Sequence, residues 1–277
     1  MELSVIDAQV HAYERDHPSR PWVGMLHGPS SVTGDEMVAA MDDAGVDRAV
    51  LVSPWILYRS DASYACDVYT SHPDRFRVVK PIDPFEDGAG AEVSLWAATP
   101  GAVAIRLMPG LTKGFRSDHS GVAAVVAAAA RERLPVCVFS SGRPTVVGEL
   151  AALHPDAQFV LDHLGLRQNF VPPPPEDPFA ALADVLALAR YPNIAVKVTG
   201  ACTLSHRPFP FDDLWEPINR LVDAFGIQRC MWGTDWTRAV DFASYRESVD
   251  AFRDHFPLSP TDRATLMSRT AEQIFGW

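Results

Sequence analysis

Asp235, His163 and His11 are the side-chain types that together can activate a water and polarise a carbonyl. A carboxylate takes the proton, and imidazoles exchange hydrogen bonds with the reacting oxygens. Gln9 stands two residues before His11, and Ser53, Arg106 and Lys197 share one feature with this set: each closes or follows a short run of β-branched or apolar residues. An arginine in such a place can grip a carboxylate bidentately, a lysine adds positive charge, and the Gln9 amide offers an NH2 donor. One histidine or arginine near a strand end is ordinarily structural. Seven polar residues at equivalent points of one fold would make a site.

They converge only if the runs are strands of one sheet. Eight such runs occur at residues 4–10, 48–53, 76–82, 102–108, 135–140, 158–163, 193–199 and 229–234. Ala-rich amphipathic stretches lie between them at 34–44, 62–71, 88–97, 121–133, 145–154, 178–189 and 211–225, with two more at 242–255 and 260–274. This alternation implies parallel strands joined by right-handed crossovers, and eight repeats favour closure. The expectation is an α/β fold, a distorted (β/α)8 TIM barrel, forming a single domain over residues 1–277. Barrels of this kind build their chemistry at the C-terminal strand ends.

Side chains alternate with period two along a strand. On that rule Asp7, Gln9 and His11 face the lumen while Ile6 and Val10 face the helices. Ala102, Ala104 and Arg106 point inward, as do Leu161 with His163, Ala195 with Lys197 and Thr199, and Met231 with Gly233 and Asp235. Thr33 and Glu36 have capping-box spacing, and His72-Pro73, His154-Pro155 and Tyr191-Pro192 mark helix ends. Trp22, Trp55, Tyr58 and Trp236 are expected to wall the pocket, with the proline run at 172–175 as a stiff loop beside it. Arg143 and Arg207 are weaker candidates for anion contacts. Cys202 lacks the neighbours of a nucleophile, and His17, His27, His119, His206 and His255 read as loop or surface residues.

The formal net charge is −11, with 35 acidic against 24 basic side chains. That balance opposes nucleic acid, whose binding rests on Lys and Arg at phosphates, yet permits a small anionic substrate in a locally cationic cleft. The four cysteines form no C-x-x-C pair, which suits a reducing cytoplasm. No apolar run reaches the ~18 residues of a membrane span. The expected partner is a small molecule, and a homodimer is a common state for barrels of this size.

Four stretches carry a likeness to a known family: Ile6-Asp7-Ala8-Gln9-Val10-His11, Leu161-Asp162-His163-Leu164-Gly165, Val196-Lys197-Val198-Thr199-Gly200 and Met231-Trp232-Gly233-Thr234-Asp235-Trp236. Together they resemble the amidohydrolase superfamily, and within it the amidohydrolase-related branch that contains lactonases. The resemblance implies a distorted barrel, hydrolysis or decarboxylation of small molecules, a first-strand H-x-H motif and a last-strand Asp. Here Gln9 replaces the first histidine, and Phe139-Ser140-Ser141 stands where metal-dependent members have a fifth-strand histidine. A glutamine carbonyl is a poor zinc ligand, so only His11, His163 and Asp235 remain as good ones.

The resulting expectation is a metal-independent hydrolase of a small anionic lactone or carboxylic ester. Asp235 is its base, and His11 and His163 polarise the carbonyl. Gln9, Arg106, Lys197, Ser53, Trp55, Tyr58 and Trp236 contact the substrate. The alternatives are one divalent metal such as Zn or Mn on His11, His163 and Asp235, serving a non-oxidative decarboxylase, and a barrel that only binds its ligand.

Overall fold

The computed structural model describes residues 4–277; residues 1–3 of the expected domain lie outside the described residues. Eight parallel strands follow one another in sequence order: β1 (Ile6–Val10), β2 (Arg48–Val52), β3 (Phe76–Pro81), β4 (Ala102–Leu107), β5 (Val136–Val138), β6 (Phe159–Leu161), β7 (Ile194–Thr199) and β8 (Cys230–Gly233). Between β8 and β1 the ring is closed by the Asp235 N–H donating to the Gln9 carbonyl at 2.9 Å and the Thr234 N–H donating to the Asp7 carboxylate at 2.9 Å. This is the (β/α)8 barrel that the alternation of runs implies. Every residue of β7 and β8 is buried, because both faces of a barrel strand are covered, one by helices and one by the lumen.

Small and branched side chains fill the lower lumen. Ala8, Val52, Val79, Ala104, Cys137, Val160, Ala195 and Met231 pack there as one cluster, closed from below by Ala271 and Phe275 of the last helix. That floor forces polar groups upward, to the C-terminal mouth. The helix Gly34–Ala44 starts as its sequence dictates: Thr33 and Glu36 exchange both bonds of a capping box. The expected helix over 178–189 is realised only as Leu182–Ala187 with a 3-10 turn, Leu188–Arg190, behind it. The last two helices each run from an α-turn into a π-turn, at Ala251–His255 and Thr265–Arg269. No helix among the described residues is long and apolar enough to cross a membrane.

Strict alternation fails in three strands, and each failure has a local cause. In β1 the register shifts between Asp7 and Val10, so Ile6 and Ala8 join the lumen cluster while Asp7 turns outward to Tyr245. Ile6 therefore does not face the helices. A second shift, opposite Val78 and Val79, puts Val103 with the lumen cluster and leaves Ala102 packed outside. In β6, Val160 is the lumen residue and Leu161 belongs to the outer core. His163 reaches the mouth instead because its backbone turns left-handed, φ 54°, immediately after the strand.

Candidate active site

The end of β8 is held in place from behind. A Cβ on Gly233 would lie 2.7 Å from Asp7 Oδ1 and 2.8 Å from Thr199 Cγ2, so only glycine fits there. Asp7 accepts from the Thr234 N–H at 2.9 Å, the Thr234 hydroxyl at 2.5 Å and the Tyr245 hydroxyl at 3.2 Å. Burial pushes its carboxyl up to about 6, against the lowering effect of these donors. With Thr234 pinned, the chain passes through a left-handed turn at Asp235, φ 52° and ψ 34°. Such a conformation is uncommon outside glycine, and here it turns the carboxylate into the mouth.

Asp235 is fully buried. Its Oδ2 accepts from Arg238 Nε and lies 3.6 Å from His163 Nδ1. Its Oδ1 lies 3.2 Å from His11 Nε2, yet receives no aligned hydrogen bond. Burial favours the neutral acid, but the Arg238 guanidinium and the two imidazoles outweigh it and hold the carboxyl well below its usual range.

The two histidines play different parts. His11 Nδ1 faces the Val52 carbonyl at 2.6 Å and donates to it, which leaves Nε2 for Asp235 and for the Gln9 amide 3.5 Å away. His163 Nε2 accepts from Arg106 Nη2 at 3.1 Å, so its proton sits on Nδ1 and is donated to Thr199 Oγ1 at 2.9 Å. Burial, with the neighbouring arginines, drives the His163 imidazole down to about 3, despite Asp235 and Asp162. It is a neutral ring with both nitrogens engaged.

Beneath the mouth lies a buried ionic layer. Arg106 Nε donates to Asp162 Oδ2 at 2.7 Å, and Lys197 Nζ lies 3.2 Å from Asp162 Oδ1 while donating to Gln9 Oε1 at 2.8 Å. Burial would raise the Asp162 carboxyl, but Lys197, Arg106 and His163 bring it down to about 2. Buried charges survive only when paired in this way.

Asp235, His11, His163 and Arg106 line one cleft at the mouth, together with Trp55 and Arg238; its empty space, counted out to the opening, is about 420 Å3. Gln9 and Lys197 lie below, bonded to each other. The Ser53 hydroxyl is committed to the Asp61 carbonyl at 2.8 Å. Tyr58 points at the Glu14 carbonyl, and Trp236 packs on Tyr245 with ring centres 5.4 Å apart; neither lines the cleft. Trp22 packs edge-on against Tyr13, and Arg143 donates to the Pro109 carbonyl. Arg207 pairs with Asp212 in the open.

Three participants escaped the sequence reading. Asp162 sits inside a quoted motif, but strict alternation turned it outward. Arg238 lies three residues past Asp235, on a short helical turn (Trp236–Ala239) that no periodicity announces. Phe139 fills the fifth-strand position, with its ring under the Arg106 guanidinium at 5.4 Å and edge-on to His163 at 5.6 Å.

Asp235 Oδ2, His163 Nε2 and Gln9 Oε1 are engaged by Arg238, Arg106 and Lys197, and among the described residues no three His, Cys, Asp or Glu side chains converge on one cation position.

Comparison with known proteins agrees with this architecture. The signature of a family described as Amidohydrolase matches residues 6–277. A 4-sulfomuconolactone hydrolase of Rhizobium radiobacter is 25% identical over 223 residues, covering 78% of this chain and 70% of its own. Among solved structures, a probable 2-pyrone-4,6-dicarboxylic acid hydrolase of Acinetobacter baumannii with citric acid bound superposes with a TM-score of 0.80 at 16% identity, over 99% of this chain and all of that one. An amidohydrolase of Burkholderia multivorans with bound zinc superposes at 0.78 with 21% identity, over 99% of each chain. These structures share the barrel, and with the match from first strand to last the chain belongs to the amidohydrolase family.

Proposed function

We propose that the protein hydrolyses a small anionic lactone without a metal ion. The observation that carries this reading is Asp235 Oδ1, a buried carboxylate oxygen with no aligned donor, 3.2 Å from His11 Nε2 in a largely apolar cleft. A water in the cleft beside His11 gives its proton to the Asp235–His11 pair as its oxygen adds to the carbonyl carbon. Arg238 makes Asp235 a weak final holder of that proton, and His11 Nε2 is within reach to share it. The negative oxygen forms in the cleft that Arg238 lines, where the charge of that guanidinium stabilises it. When the ring C–O bond breaks, the proton returns from the pair to the departing alkoxide, leaving a hydroxy acid. His163, neutral and held by Thr199, fixes Arg106.

The donor set does not fit a tightly held cation. Asp235 Oδ2 is taken by Arg238, His163 Nε2 by Arg106 and Gln9 Oε1 by Lys197. Only His11 Nε2 and Asp235 Oδ1 remain, below the three protein ligands usual for catalytic zinc. The same shortage weighs against a metal-dependent decarboxylase. A weak carboxylate base also favours a strained or activated ester over an amide. The named activity of the Rhizobium radiobacter relative, a lactone hydrolase, supports the reading. Four cysteines without disulfides support a cytoplasmic setting.

The test is acid release from a panel of lactones, before and after exhaustive chelation. Hydrolysis that survives chelation is the expected result. Hydrolysis that disappears and returns with Zn or Mn overturns the metal-free mechanism.

A further inference from the structure

We infer that the substrate carries a single anionic group on an otherwise apolar body, and that Arg106 Nη1 is the atom that reads this group. The inference rests on the hydrolase reading above and specifies what that site accepts.

The charge balance of the mouth sets the number. Arg106, Arg238 and Lys197 face two carboxylates, Asp162 and Asp235, all of them linked by ion pairs. The excess is one positive charge. During turnover the proton withdrawn from water stays on the Asp235–His11 pair and balances the new oxyanion, so the excess remains for a substrate anion. A second anion would enter a buried site with no counter-charge, which is costly.

One donor is open to receive the anion. Arg106 Nε is committed to Asp162 and Nη2 to His163. Among the described residues nothing accepts from Nη1, and that atom is not among the sealed, unpartnered ones. Arg238 has no comparable freedom: its nitrogens go to Asp235, the Gln168 side chain and the Asn169 carbonyl. Recognition therefore centres on Nη1, the terminal nitrogen of Arg106 that no protein group among the described residues engages.

The remaining wall defines the body of the substrate. Leu26, Trp55, Met108, Leu111, Phe139 and Phe170 line it, and no hydroxyl or amide side chain does. A polyhydroxylated lactone would bury hydroxyls without partners, which is costly. An alkyl or aryl ring would bury its surface favourably.

The experiment compares four probes with the wild-type enzyme: an alkyl- or aryl-substituted lactone bearing one carboxylate, its methyl ester, its dicarboxylate analogue, and a sugar lactone. The monocarboxylate should exceed each of the others at least tenfold in kcat/KM. In R106Q and R106K the advantage of the acid over its ester should collapse, mainly through a raised KM for the acid. Preference for the dicarboxylate, the ester or the sugar lactone overturns this inference while leaving the hydrolase reading intact. Hydrolysis of none of the four overturns both.

Discussion

Arg238 donates to one oxygen of Asp235, while the other oxygen faces His11 Nε2 at 3.2 Å without an aligned donor. The guanidinium is the leading reason that the Asp235 carboxyl stays well below its usual range despite burial. In R238M that carboxyl should titrate at higher pH, because burial then acts with less opposition. The acidic limb of the kcat/KM profile should move to higher pH, with R238K lying between R238M and wild type. An unmoved acidic limb in R238M would detach Arg238 from the base.

Asp7 is the opposite case. Its carboxyl stands at about 6, above the ordinary 3.8, so the folded state holds the proton more tightly than the unfolded chain. Its contribution to stability is full below the unfolded value and is lost as pH rises through the folded one. The stability advantage of wild type over D7N in urea unfolding should therefore shrink between about pH 4 and about pH 6. D7N itself should cost about 1–3 kcal/mol, since an amide cannot accept from all of the donors of Thr234 and Tyr245. A pH-independent difference would contradict this account.

Lys197 is buried completely and touches both Asp162 and Gln9. K197M should lower stability by about 3–5 kcal/mol, the range for stripping one partner from a buried ionic group. Thermal unfolding of the variant measures it. A loss below ~1 kcal/mol would mean that Arg106 alone satisfies Asp162.

T199V removes the acceptor for the His163 Nδ1 proton while keeping the shape of the side chain. An orphaned buried donor costs about 1–3 kcal/mol, and the ring would lose the contact that orients it toward Arg106. A fall in kcat of roughly tenfold is expected with a folded protein. Unchanged kcat and KM would show that His163 needs no support from Thr199.

The fold was legible because hydrophobic runs and amphipathic stretches alternate without interruption, and a barrel is what such alternation builds. The site was legible to the extent that strand geometry carries it: Lys197 and Arg106 lie where period two puts them. His163 and Asp235 were found by position, but their inward direction comes from left-handed turns after β6 and β8, which alternation does not describe. Asp162 was misdirected for the same reason, and Ile6 by a register shift in β1. Arg238 depends on the path of a loop. Aromatic residues near strand ends divided without a sequence signal: Trp55 faces the cleft, whereas Tyr58 and Trp236 pack elsewhere.

The most direct test is steady-state hydrolysis of the best lactone by wild type and D235N, both stripped of metal and checked for content by elemental analysis. The account predicts robust acid release by the wild type and a fall of about a thousandfold or more in kcat for D235N, with the substrate still bound. Retention of near wild-type kcat by D235N, or a wild type inactive until metal is restored, would contradict it.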